Sequence, residues 1–262
     1  MTAARNDFIH ALSADGRAML ATFAARRALL TFDVDGTLAP IVARPEDAGI
    51  PPALREALVE LAALAPVAIL TGRAVADARR MLGFAPRYVL GNHGVEGLPG
   101  FEARGSTLAA VCAAWHAALG AAQPSLADAG VHLEDKRYSL SLHYRHAPDA
   151  QLAQALIARH VAALVPPAHV VGGKCVVNVL PPGALTKGDA LTALLAHEGL
   201  DAAIYAGDDA TDEHVFDLPR ERVLGIRVGH LPQSNAALYV DHPGEMLPLV
   251  RLLTTLVGGA AG

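Results

Sequence analysis

The stretch Thr31-Phe32-Asp33-Val34-Asp35-Gly36-Thr37-Leu38 sets two carboxylates two residues apart at the end of an apolar run, and Gly36-Thr37 then turns the chain away. Side chains alternate faces along a strand, so Asp33 and Asp35 reach one place only along a strand edge or on the loop just past it. Like charges that close need relief: either one carboxyl holds a proton or a cation sits between them. The plain alternative is a strand that ends in an acidic turn. Three further polar clusters follow apolar runs: Thr71-Gly72-Arg73, Gly91-Asn92-His93-Gly94, and Gly207-Asp208-Asp209-Ala210-Thr211-Asp212-Glu213. In an open α/β sheet, ligands bind beyond the carboxyl ends of the strands, so four polar strand ends together favour a site over a turn.

The residue types suit phosphoryl transfer. Asp33, Asp35 and Asp208 offer hard oxygen ligands of the kind Mg²⁺ takes while keeping waters and sharing a substrate phosphate. No His/Cys cluster has zinc spacing. Once neutralised, the Asp33 carboxylate can attack a phosphoryl group and form an aspartyl-phosphate. Asp35 can then give a proton to the leaving oxygen and take one from water. The Thr71 hydroxyl and the Lys187 ammonium are donors suited to phosphoryl oxygens and developing charge. Taken singly, Thr71 reads as a turn residue, Lys187 as a solvated lysine at a helix start, and Asp208-Asp209 as a helix N-cap.

The elements that must position these groups read as follows. Residues 5–27 predict an amphipathic helix or helical pair, and Ala28 to Phe32 the first strand. Pro51-Pro52 opens a helix with Leu54, Leu58, Leu61 and Leu64 on one buried stripe. A strand at 66–70, a helix at 74–82 and a strand at 87–90 complete a β-α-β-α-β rhythm, which predicts a parallel sheet with right-handed crossovers. The rhythm changes between 98 and 182. A helix near 107–119 precedes a strand in which Ser139, Ser141 and His143 alternate with Leu140, Leu142 and Tyr144; a helix from Pro148-Asp149 and one or two strands over 170–180 follow. This predicts a small α+β lobe with a half-solvated sheet, inserted into an α/β core. The core resumes with a helix at 187–197, strands at 202–206 and 224–228, and a closing helix from 244 to 257, bent or started late by Pro248.

Composition bounds the rest. At 262 residues, 52% apolar and 18% charged, the chain fits a well-packed core plus a second lobe. A net charge of -5 supplies no basic field for nucleic acid or anionic lipid, so a small anionic substrate needs a locally basic pocket. Cys112 and Cys175 form no disulfide framework and read as small buried apolar groups. No apolar run approaches the ~20 residues that span a bilayer, and the N-terminal stretch lacks a signal-peptide pattern. The expectation is therefore a cytoplasmic enzyme with no membrane or nucleic-acid partner.

In order and spacing, Asp33-Val34-Asp35-Gly36-Thr37, Thr71-Gly72-Arg73, Lys187 and Gly207-Asp208-Asp209-Ala210-Thr211-Asp212 resemble the four motifs of the haloacid dehalogenase-like phosphatases. Within that superfamily, Gly91 to Glu96, Leu133-Glu134-Asp135-Lys136, Leu140 to Arg145, Gly173 to Val177 and Gly207 to Glu213 resemble the trehalose-6-phosphate phosphatases, a likeness running from about Leu29 to Val240. The resemblance implies a Rossmann-like parallel-sheet core (residues 1–97 and 183–262) with an inserted α+β cap domain (98–182) that closes over a phosphorylated disaccharide. It implies Asp33 as nucleophile, Asp35 as acid/base, Thr71 and Lys187 as phosphate holders, and Mg²⁺ on Asp33, Asp208 and the backbone carbonyl of Asp35. Asp212, with Asp209 beside it, would steady the lysine or the metal's surroundings. Gly72, Arg73 and the Asn92-His93-Gly94 loop would meet the substrate from the core, and Glu134, Lys136, Arg145, Lys174 and the residue at 178 from the cap. Two departures stand out: the family usually carries Glu where this chain has Asn178, and often a basic residue in place of Leu180. Asn donates and accepts but removes a charged acceptor for sugar hydroxyls. The rival readings are another capped sugar phosphatase, acting on sucrose phosphate or a mannosyl phosphate, and a non-catalytic phosphosugar-binding regulator. A nucleotide-binding dehydrogenase is disfavoured, because acids rather than Gly-x-Gly-x-x-Gly follow the first strand.

Overall fold

A computed structural model of the chain describes residues 8–42, 48–173 and 175–260. Lys174, given a sugar contact by the resemblance, lies outside them, as do residues 5–7 of the expected first helix. The chain forms two compact units, Met1–Pro99 with Leu185–Gly262, and Gly100–Ala184.

The first unit opens differently from the expected helix. Strand β1 (Ile9–His10) precedes α1 (Ala14–Ala24), which starts where Ser13 Oγ accepts the Gly16 amide at 3.1 Å. Then follow β2 (Leu29–Phe32), α2 (Pro52–Leu64), β3 (Val67–Leu70), α3 (Val75–Leu82) and β4 (Tyr88–Leu90). In α2, Leu54, Leu58 and Leu61 are buried, each worth about 1.5–3 kcal/mol of transfer free energy. Leu64, expected on the same stripe, is 55% exposed, because the stripe has drifted off the core by the helix's last residue.

The second unit contains α4 (Glu102–Gly120), α5 (Gln123–Asp128), β5 (His132–Asp135), β6 (Leu140–His143), α6 (Ala150–Ala162), β7 (His169–Gly173) and β8 (Val176–Leu180). Its antiparallel sheet has the order β5-β6-β8-β7. Leu140, Leu142 and Val179 pack with Cys112, Trp115 and Leu119 of α4 and Ile157 and Val161 of α6 in one core. Leu152, on the outer side of α6, is exposed.

The chain returns to the first unit through α7 (Lys187–Glu198), β9 (Ala203–Gly207), α8 (Glu213–Phe216), β10 (Val223–Val228), β11 (Leu238–Val240) and α9 (Met246–Ala260). Its sheet has the order β1-β11-β10-β9-β2-β3-β4, every pair parallel. β2, β3, β9 and β10 are buried along their whole length, as a sheet covered on both faces requires. From β2 the chain winds outward to β3 and β4 on one side, and later to β9, β10 and β11 on the other. The order reverses between β2 and β9, and such a switch point leaves a crevice at the strand ends. Asp33 follows β2 and Asp208 follows β9, so two of the sequence's acids flank it. Among the described residues no helix is long and apolar enough to cross a membrane.

Candidate active site

Asp33 leaves β2 with its amide donated to the Ala206 carbonyl at 2.9 Å, which holds it beside the end of β9. Its buried carboxylate accepts from Lys187 Nζ at 2.9 Å. Lys187 is the first residue of α7, where Thr186 and Asp189 form a reciprocal capping box. A cation at a helix N-terminus opposes the helix dipole, yet Lys187 is only 2% exposed. Two carboxylates offset that position, Asp33 and, at 2.7 Å, Asp212. Burial works against the Lys187 charge, and the two carboxylates overcome it, holding the ammonium above the ordinary lysine range. The lysine is therefore a permanent cation wedged into the acidic site, not a solvated helix-start residue.

Asp212 is spent on this arrangement. Oδ1 accepts from Lys187 and from the Tyr205 hydroxyl at 2.6 Å, and Oδ2 from the Asp209 amide at 2.8 Å. Burial opposes its ionisation, but Lys187 and these hydrogen bonds hold its carboxyl below the usual range. Burial, with the negative Asp212 alongside, pushes the Tyr205 phenol well up, so it remains a donor. Asp209 itself lies exposed, its carboxylate accepting the Ala210 amide at 2.7 Å.

Asp208 faces the turn after β2. Thr37 Oγ1 donates to its Oδ1 at 3.3 Å. Gly36 sits at φ +79°, and a Cβ there would fall 2.0 Å from Asp208 Oδ2, so only glycine permits this approach. One carboxylate oxygen each from Asp33, Asp208 and Asp212 lies within 4.8 Å of the others. Burial pushes the Asp33 carboxyl up to about 7, Lys187 opposing and Asp212 and Asp208 adding to the rise. Burial, then the neighbouring Asp212 and Asp209, pushes Asp208 up to about 6. These crowded hard oxygens fit a divalent cation, which would relieve the repulsion that raises both groups.

The expected repulsion between Asp33 and Asp35 is resolved otherwise. Asp35 does not share its charge with Asp33: its carboxylate accepts from Arg73 Nε and Nη2, both at 2.6 Å, in a two-pronged pair. Both oxygens of the Asp35 carboxylate are thereby engaged. Arg73, expected on the substrate, here grips Asp35. Buried Thr71 accepts the Arg73 amide on its hydroxyl oxygen at 3.2 Å, and among the described residues that hydroxyl donates to no acceptor.

The 92–94 turn is latched onto the same loop. The His93 amide donates to the Thr71 carbonyl at 2.9 Å and the Asn92 amide to the Arg73 carbonyl at 2.8 Å. Asn92 Nδ2 and the Val75 amide both donate to Glu96 Oε2 at 2.9 Å. Asn92 and His93 hold successive positive φ values, +49° and +58°, a strained pair of the kind found at functional loops. The His93 ring lies over Gly72, where a Cβ would meet it at 2.9 Å, and buried Gly94 packs on Ala190 of α7.

In the second unit, directly paired residues share a face, which lines up Glu134, Ser141 and Asn178 across three strands, with His143 beside them. Glu134 accepts from His143 Nε2 at 2.8 Å and has Lys136 Nζ at 3.7 Å. Ser141 Oγ donates to Asn178 Oδ1 at 2.7 Å, and Arg145 is exposed beyond β6.

Tyr205, Arg227, Glu96 and His143 join these networks without having been assigned roles above. Of them, Arg227 carried a signal: one arginine inside the apolar run Val223-Leu224-Gly225-Ile226-Arg227-Val228.

A protein of Mycobacterium tuberculosis described as an uncharacterized glycosyl hydrolase is 37% identical over 221 residues, 78% of this chain and 16% of that one. A trehalose-phosphate phosphatase of Mycobacterium tuberculosis is 32% identical over 234 residues, 85% of this chain and 60% of that protein. The chain thus spans less than two thirds of the length of these relatives. A crystal structure of a trehalose-6-phosphate phosphatase related protein superposes with a TM-score of 0.72 at 22% identity, over 90% of this chain and all of that one, and the fold is also that of a haloacid dehalogenase-like hydrolase from Bacteroides thetaiotaomicron, at a TM-score of 0.59 and 13% identity over 85% of this chain and 98% of that one. The profile of the trehalose-phosphatase family matches residues 31–242, from the strand that carries Asp33 past the loop that carries Asp208, and the chain belongs to that family.

Proposed function

We propose that this chain is a Mg²⁺-dependent phosphatase that hydrolyses trehalose 6-phosphate to trehalose and phosphate. The observation that carries the reaction type is the buried Asp33 carboxylate, held against Lys187 at 2.9 Å beside Asp208 at the switch point of the sheet. The substrate rests on family membership and on what the related enzymes are named for.

Asp33 supplies the nucleophilic oxygen. Its bond to phosphorus forms as the bond from phosphorus to the sugar oxygen breaks, and Asp35 protonates that leaving oxygen. Water then attacks the aspartyl-phosphate, its proton passing to Asp35 and phosphate leaving. The Arg73 fork occupies both Asp35 oxygens as acceptors, so one prong releases for Asp35 to carry the proton it delivers. Lys187 and Thr71 donate to phosphoryl oxygens, Lys187 remaining charged because Asp212 stays ionised. A Mg²⁺ on Asp33, Asp208 and the Asp35 carbonyl would neutralise charge on carboxylate and phosphoryl group as they approach. Glu134, Lys136, Arg145, Lys174 and Asn178 are assigned to the sugar hydroxyls, with the Asn92-His93-Gly94 loop and Gly72. A cytoplasmic setting belongs to the same proposal.

One feature favours a second reading, another sugar phosphate of the sucrose or mannosyl type: Asn178 replaces a carboxylate acceptor and its Oδ1 is occupied by Ser141. Phosphate release from a panel of sugar phosphates with Mg²⁺ separates the two. Trehalose 6-phosphate should be the preferred substrate, and Asp33→Asn should lower turnover by at least about a thousandfold. A preference for another sugar overturns the substrate, and undiminished turnover of D33N overturns the nucleophile.

A further inference from the structure

The Asp208 loop is held from behind by a group outside the phosphatase motifs. Arg227 lies on β10 directly opposite Gly207 of β9, one position before Asp208, and is 9% exposed. Its Nη2 donates to the Asp208 carbonyl at 2.6 Å, and its Nη1 to the Asp209 carbonyl at 3.4 Å and to Glu213 Oε1 at 2.7 Å. Glu213 Oε2 in turn accepts from Ser234 Oγ at 3.2 Å and the Asn235 amide at 3.0 Å.

A guanidinium is an expensive residue to bury in an otherwise apolar strand, and an aliphatic side chain would pack there without the desolvation. Two of its contacts are backbone carbonyls of consecutive residues, so the fork fixes the path of the loop whatever its side chains are. The direction of the Asp208 side chain follows from that path, and the contacts with Gly36 and Thr37 leave it little tolerance. Glu213 cancels the guanidinium charge, so the latch orders an acidic loop without repelling a cation.

We propose that Arg227 is a positioning residue for metal binding: it holds the Asp208-Asp209 backbone in its ligating path before the ion arrives, with Glu213 as its charge partner. This rests on the reading of Asp208 as a metal contact. The latch raises metal affinity by sparing the loop the ordering it would otherwise undergo on binding.

The test uses the whole chain and Mn²⁺ as a spectroscopic probe for the Mg²⁺ site, with affinity read from the electron paramagnetic resonance of free ion and folding from circular dichroism. The charge-balanced double variant Arg227→Met with Glu213→Gln should bind Mn²⁺ at least tenfold more weakly, while E213Q alone stays within threefold. Arg227→Lys keeps the charge but cannot span two carbonyls, and should fall between wild type and the double variant. It decides the matter if the double variant does not fold. A purely structural role would lower the melting temperature and leave the affinity of the folded protein intact; folded R227K and double variants within twofold of wild type overturn the proposal. If wild type and Asp208→Asn bind Mn²⁺ alike, Asp208 is not a metal contact, and both the metal reading and this inference fall.

Discussion

Replacing Lys187 by methionine tests the electrostatic logic of the site. Nζ joins Asp33 at 2.9 Å and Asp212 at 2.7 Å, and all three side chains are at least nine-tenths buried. Removing one partner of a buried ion pair leaves an uncompensated charge and costs about 3–5 kcal/mol. The cost must depend on pH, because the wild-type Asp33 carboxyl titrates near 7, raised from 3.8. A raised carboxyl contributes stability below its unfolded value and loses it as pH climbs to the folded one. In the metal-free wild type that loss ends near 7. Without the ammonium the Asp33 carboxyl rises further, and Asp212 loses the cation that holds it down, so K187M keeps losing stability above 7. Urea unfolding in metal-free buffer should thus show a larger deficit at about pH 8 than at about pH 6. A deficit below about 1 kcal/mol, or the same at both pH values, would refute the claim that Lys187 compensates Asp33.

Two further outcomes follow from the crowding around Asp208. Gly36→Ala should weaken metal binding and turnover at least tenfold, because its Cβ would fall 2.0 Å from Asp208 Oδ2; Gly199→Ala, equally left-handed at φ +65° but with nothing within 4 Å, should only lower stability, by about 1 kcal/mol. Equal metal affinity in the two variants would remove the steric argument. Mg²⁺ binding should release protons from Asp33 and Asp208, which titrate near 7 and 6, so affinity rises with pH through that window. Calorimetry in buffers of different ionisation enthalpy should detect the release near pH 6 and find almost none at about pH 8.5; buffer-independent heats at both would contradict the shifts.

The carboxylates at strand ends were legible because their signal is local: an apolar run stops, acids follow, and the parallel topology brings such ends together. Pairings across long separations were not. Nothing near Arg73 in the sequence points to Asp35, 38 residues before it. Tyr205 reads as one more buried strand residue, and its hydroxyl gains meaning only when Asp212 folds back seven residues later. Strands β1 and β11 have two and three residues, too few for a periodicity to register, and are strands only because each pairs with a neighbour. Helix α5 is likewise too short to show a pattern.

Local preference and observed structure disagree most at Lys187, Arg227 and the Asn92-His93 pair. A lysine opens a helix against the dipole, an arginine is buried in an apolar strand, and two non-glycine residues share left-handed backbone. Each conflict resolves onto one spot: Lys187 on Asp33, Arg227 on the loop of Asp208, and the strained turn on the carbonyls of Thr71 and Arg73. Sequences are expected to violate their own local rules where a site must be built. Three such violations, two of them at residues of the family motifs, meet at the ends of β2, β3 and β9, where the candidate site lies. The third is at Arg227, which the motifs pass over.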